Sequence, residues 1–145
     1  MTKALQSVTS AAGRFALAAI FLMSAVGNKI PNFNQIADLL GSKGLPAPKL
    51  MLLVAIAFLI VGGVSVVLGW KARLGALLLF LFLLPTTYLF HDFWNLGGSE
   101  AEHQMIHFMK NVSIAGAMLF LIANGAGAGS LDSRREREPA VEAVA

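Results

Sequence analysis

Residues 50–70, LMLLVAIAFLIVGGVSVVLGW, run for twenty-one positions without a charged side chain. At about 1.5 Å of rise per residue, a helix of that length crosses the ~30 Å hydrocarbon core of a bilayer. A second charge-free run follows at residues 74–90, LGALLLFLFLLPTTYLF, with Pro85 near its end and Thr86 and Thr87 beside it. Only Lys71, Ala72 and Arg73 separate the two runs. Spanning helices joined that tightly must be antiparallel, so the chain contains a membrane hairpin with a basic tip. A spanning segment must satisfy its own backbone hydrogen bonds, and a long unbroken apolar run does so as a helix.

The rest of the chain agrees with lipid as solvent. Of 145 residues, 57% are hydrophobic and 13% charged, and mean hydropathy is +0.71. A water-soluble domain of this size carries about a quarter charged residues. The chain has no cysteine, which excludes disulfides, thiol redox chemistry and thiolate ligation of a metal or iron–sulfur cluster. The expected surroundings are the lipid bilayer, and no nucleic-acid partner is expected.

Two less pure segments flank the hairpin. Residues 11–30 carry Arg14 and Lys29 towards their ends, and residues 104–124 carry His107 and Lys110 in their first turns. Both read as spanning helices whose charges snorkel or pair within the bundle. A secretory signal ending near SAVG competes for the first segment, but Asn28–Lys29–Ile30–Pro31 reads better as an anchored helix end. The expected fold is therefore all-α, a four-transmembrane-helix bundle. Its membrane domain covers residues 11–124, after an N-terminal segment 1–10 and before a disordered, charged tail 125–145. With four spans, Lys3, Arg14, Lys71, Arg73, Arg134, Arg135 and Arg137 share one side, against Lys29, Lys43, Lys49 and Lys110 on the other. The excess of positive residues puts both termini in the cytoplasm of a multi-pass protein of the cell membrane, the inner membrane in a bacterium.

The opposite, outward side gathers the titratable groups. HDFWNLGGSEAEHQMIHFMKN, residues 91–111, holds all three histidines of the chain. Ser99 and Glu102 fit a capping box that starts the last helix. From there Glu100, His103, His107, Lys110 and Asn111 fall on one face, a polar stripe expected to look into the bundle or into a wet cavity. On the first helix Arg14, Ala18, Phe21, Ala25, Asn28 and Lys29 share a side, with Arg14 and Asn28 as anchors. The candidate pocket is Lys29, His91, Asp92, Trp94, His103, His107, Lys110 and Asn111, with Asp92, Glu100 and Glu102 as counter-charges. Trp94 and Tyr88 also suit an interfacial aromatic belt. Metal or haem ligation is not expected, because His103 and His107 lack an H-E-x-x-H pattern and only His91 and His107 could pair across helices. In the outer loop, Phe33, Ile36, Leu39 and Leu40 recur at helical spacing, as in an interfacial helix that seals the bundle.

Taken in order, GRFALAAIFLMSAVGNKI, GLPAP before a long second helix, HDFW and FMKNVSIAGAMLFL resemble the DoxX family of small four-helix membrane proteins, over roughly residues 10–124. The matching positions are Arg14, Gly27 with Lys29, and Lys110 with Asn111. The resemblance implies a component associated with oxidoreductases, with some members tied to oxidative-stress defence or sulfur metabolism through partner enzymes. Within that frame a quinone would sit at the outer polar cluster. His107 or His91 would bond its carbonyl, Asp92 would orient the imidazole, and Lys29 or Lys110 would stabilise the reduced anion. Electrons would come from a soluble or membrane redox partner. The alternatives are a non-catalytic membrane scaffold for such an enzyme, or a small transporter, which with four helices would need a homo-oligomer.

Overall fold

The computed structural model describes residues 2–135. Its helices are α1 (Lys3–Met23), continued by a π-helical turn (Ser24–Lys29), α2 (Phe33–Ser42), α3 (Pro48–Leu68), α4 (Ala72–Phe90), α5 (Gly98–Asn124) and the short α6 (Leu131–Arg135). A 3₁₀ turn, Phe93–Asn95, lies between α4 and α5. Four of these helical stretches are long and apolar enough to cross a membrane: α1 with its π turn, α3, α4 and α5. Among the described residues there is no strand.

Each boundary has a local cause. Thr2 is extended and its hydroxyl accepts from the Leu5 N–H at 3.4 Å, so α1 starts well before the first apolar segment. Residues 3–10 contain no Gly or Pro to stop it. The segment expected to precede the membrane domain is thus the first turns of α1. At the end of α2, Gly44 takes φ +78°, the Leu45 N–H reaches the Leu40 carbonyl and the Gly44 N–H that of Gly41. This is a Schellman stop. The α3–α4 turn repeats it with Gly69 at φ +63°, the Trp70 N–H on the Ser65 carbonyl and the Gly69 N–H on that of Val66. Pro85 does not end α4, which runs on to Phe90.

The core is built from Ala18, Phe21 and Ala25 of α1, Leu59 and Val66 of α3, Ala76, Leu79 and Leu83 of α4, and Met118 and Leu121 of α5. Between α3 and α4 the packing is closest at two glycines. A Cβ on Gly62 would lie 2.8 Å from both the Gly75 carbonyl oxygen and Leu79 Cγ, and one on Gly75 would meet the Gly62 carbonyl oxygen at 3.0 Å. Small residues let membrane helices exchange dispersion contact where no hydrophobic effect drives them together.

The segment after α5 corrects the expectation of a disordered tail over residues 125–135. It folds back over the α3–α4 turn and the start of α1. Gly125, Gly127 and Gly129 take positive φ, and Ser130 is buried. Asp132 completes the lock: its Oδ1 accepts from the Lys71 N–H at 2.8 Å and its Oδ2 from the Ala72 N–H at 3.0 Å. A carboxylate thus caps α4 from the far end of the chain, satisfying donors that Lys71, at φ +48°, cannot serve itself. Arg14, 4% exposed, donates from Nη1 to the Ala126 carbonyl at 2.6 Å and to Ser10 Oγ at 3.1 Å. Glycine-rich composition suggested disorder because it is costly to order. Here those glycines supply the turns that bring carbonyls to Arg14. Residues 136–145 of the expected tail lie outside the described residues.

Two outcomes follow for stability in detergent. Gly62→Ala should destabilise the bundle by about 1–3 kcal/mol through overpacking, whereas Gly13→Ala, with nothing within 4 Å of its Cβ, should stabilise α1 by up to about 1 kcal/mol; thermal melts followed by circular dichroism check the opposite signs. Asp132→Ala should lose about 0.5–2 kcal/mol of capping and speed tryptic cleavage after Arg134 and Arg135.

Candidate functional site

The residues expected to form one outer pocket separate into three places. Lys29 belongs to the first. Ser24 and Lys29 are five positions apart, which on an α-helix, turning about 100° per residue, would set them about 140° from each other. The π turn changes this, because its bonds run from i to i−5, as from the Ile30 N–H to the Ala25 carbonyl at 2.9 Å. Lys29 therefore stacks over Ser24, and its Nζ donates to Ser24 Oγ at 2.7 Å. The same ammonium lies 5.3 Å from the centre of the Phe82 ring, within cation–π range. The counter-charge expected from Asp92, Glu100 or Glu102 is replaced by a hydroxyl and an aromatic face.

Lys29 sits on the wall of a half-open cavity of about 530 Å³ bordered by the end of α1, α2, α3 and α4. Asn28, Lys29 and Thr86 are the polar residues in its lining, which is otherwise apolar and includes Ile36 and Leu39 of α2, Met51 and Phe58 of α3, and Phe82, Pro85 and Phe90 of α4. Pro85 has no N–H to offer the Leu81 carbonyl, and both residues border this space. The α3 wall was not visible in the sequence, where that helix is apolar all round. A signal for the cavity did exist in α2: Ile36, Leu39 and Leu40 at helical spacing require an apolar surface to face.

The second place joins α4 to α5. His91 Nδ1 is 2.8 Å from Gln104 Oε1, the His91 and His107 rings stack at 5.4 Å, and Lys110 Nζ is 3.1 Å from His107 Nδ1. An ammonium only donates, so His107 accepts at Nδ1 and carries its proton on Nε2. His103, His107 and Lys110 are exposed, while Gln104 and Phe108 are half-buried and Asn111 is buried. The inward face of α5 thus lies about one residue, roughly 100°, round from the expected polar stripe. Asn111 alone of that stripe turns to the bundle, as does Ile114 one turn further on. No three of the described His, Asp and Glu side chains are arranged to hold a metal ion.

In the third place, Phe93, Trp94 and Phe108 pack edge-to-face with ring centres 5.2–5.9 Å apart, and Tyr88 joins Trp94 at 5.5 Å. Beside them Asp92 Oδ2 accepts from Asn95 Nδ2 at 3.2 Å. The expected capping box at Ser99 and Glu102 does not form. Helix α5 begins at Gly98 with Gly97 as N-cap and no side-chain cap bond. Gly98, at φ +61°, makes the entry turn, so Ser99 already lies inside the first turn.

Among the described residues, Lys29 therefore costs desolvation without an ion pair in return. Lys29→Met should leave the detergent melting temperature at or above that of the parent, a result that a structural ion-pair role could not give; circular dichroism melts measure it.

These features define a small integral membrane protein of four spanning helices, with one ammonium set in the wall of an apolar, half-open cavity. The chain belongs to the DoxX family, which it matches over residues 10–92, that is, α1 through α4. It is 36% identical over 121 residues to "Inner membrane protein YphA" of Escherichia coli (strain K12), covering 83% of this chain and 86% of that protein. A second relative, "Inner membrane protein YqjF" of the same organism, is 30% identical over 130 residues, covering 90% of this chain and 94% of its own length. No solved structure matches the chain.

Proposed function

We propose that this chain binds a membrane-dissolved quinone in the Lys29 cavity and serves as the membrane component of a partner oxidoreductase. The observation that carries the reading is Lys29 itself, an ammonium on an apolar cavity wall whose contacts are Ser24 Oγ and the Phe82 ring. Phe58, Phe82 and Phe90 suit a flat ring, and Lys29 with Thr86 supplies donors for a carbonyl oxygen. When that oxygen gains electron density on reduction, a fixed ammonium in low dielectric favours the charged product. The electrons come from the partner in this reading, since the sequence offers neither cysteine nor a recognisable flavin or nucleotide fingerprint. His91 follows Phe90 of the cavity wall in sequence and stacks on His107, and this pair is the nearest titratable group along the chain that could relay a proton.

The distribution of Lys and Arg supports placing both termini in the cytoplasm. The relatives' description as inner membrane proteins supports that membrane for this chain. On this orientation the cavity lies in the outer half of the bilayer.

A short-chain quinone titrated into the Trp70→Phe protein tests the reading, with Trp94 as the remaining indole. Trp94 shares a pocket with Leu89, which also lines the cavity. Saturable quenching is expected, weakened about tenfold or more in Lys29→Met, as for a lost hydrogen bond to a charged group of about 1.5–3 kcal/mol. Linear quenching, or a curve unchanged by Lys29→Met, would leave the scaffold role standing in place of the quinone site.

A further inference from the structure

Next to the large cavity lies a second, smaller pocket of about 190 Å³, lined by Lys43, Tyr88, Leu89, Asp92, Trp94 and Asn95. Its chemistry differs from that of its neighbour. Lys43 comes from the end of α2 and Asp92 from the turn after α4, so two elements bring opposite charges to one hollow. The Schellman stop at Gly44 holds Lys43 there, with its Nζ 5.3 Å from the Phe90 ring centre. Asp92 is oriented by Asn95 and retains acceptor capacity. Tyr88 and Trp94, 65% and 47% exposed and with ring centres 5.5 Å apart, line the same hollow as Asp92.

A carboxylate beside two aromatic faces is a site for an ammonium group, and a lysine a short distance away is a site for a phosphate. We infer that this pocket binds the zwitterionic headgroup of an aminophospholipid, its phosphate on Lys43 and its ammonium against Asp92, Tyr88 and Trp94. The volume is that of about six waters, enough for a headgroup and too small for acyl chains. Leu89, shared with the apolar cavity, and the exposed Tyr88 ring at the end of α4 provide an apolar exit for those chains. That continuity with the membrane-facing surface favours a lipid over a free solute. The site uses neither Lys29 nor the histidine pair.

The test uses the full chain with Trp70→Phe in detergent, titrated with short-chain phosphatidylethanolamine while Trp94 emission is followed. A saturable change is expected, weakened about tenfold by Asp92→Asn and by Lys43→Gln and unaffected by Lys29→Met. Short-chain phosphatidylglycerol, which has the phosphate but no ammonium, should bind at least tenfold more weakly, and free phosphoethanolamine should give no saturable change. Equal response to both lipids, or indifference to Asp92→Asn, overturns the headgroup assignment. Saturable binding of free phosphoethanolamine as tight as that of the lipid overturns the lipid as its source. A circular dichroism spectrum matching the parent keeps each variant interpretable.

Discussion

In an apolar solvent every unpaired backbone N–H or C=O costs several kcal/mol, roughly, and no water is at hand to relieve it. Much of this fold is arranged around that constraint. The spanning helices satisfy their own interiors, so the demand falls on their ends. Schellman bonds close α2 and α3, and the Asp132 carboxylate takes the first donors of α4. Arg14 collects the Ala126 carbonyl in the turn that follows α5. A buried guanidinium is costly by itself, and here one of its nitrogens, Nη1, answers the Ala126 and Ala128 carbonyls together, while Nε has no hydrogen-bond partner among the described residues.

Where the constraint is left open, the cavity appears. Pro85 withholds a donor from α4 at the cavity wall, and the π turn displaces Lys29 from where a regular helix would carry it. Single π turns within α-helices are frequent at functional sites. Both lie towards the same end of the bundle, roofed by α2. The opposite end is tied down by Arg14, Ser65 and Asp132. The molecule thus has a closed end that fixes helix positions and an end with room for a guest.

The spans were legible because length and lack of charge are properties of composition, which survive any error of register. So was the helix in the outer loop, whose apolar spacing needs no partner to be recognised. The site was legible as a list of residues and not as a geometry. Reading α1 as a uniform helix sent Lys29 towards His107 and Lys110, because a π turn has no signature in the side chains Ser24 to Lys29. The face of α5 was misjudged because polarity was taken as the mark of the inside. In lipid the inside is set by shape, and Phe108, Ala115 and Met118 turn inward while Lys110 remains outside. The glycines at 125, 127 and 129 misled for a related reason: composition records what a segment costs to order and not the partners that order it.

The cap on α4 has a consequence for how the molecule is made. Lys71 and Ala72 leave the ribosome about sixty residues before Asp132. The hairpin of α3 and α4 therefore enters the membrane with its turn unsealed, and water or lipid headgroups must serve those donors in the meantime. Only when α5 has been threaded can Asp132, which follows it, reach the turn and Arg14 find the Ala126 carbonyl. Closure of that end therefore comes after insertion of the hairpin whose turn it seals, and it depends on α5 having brought the later segment back to that side.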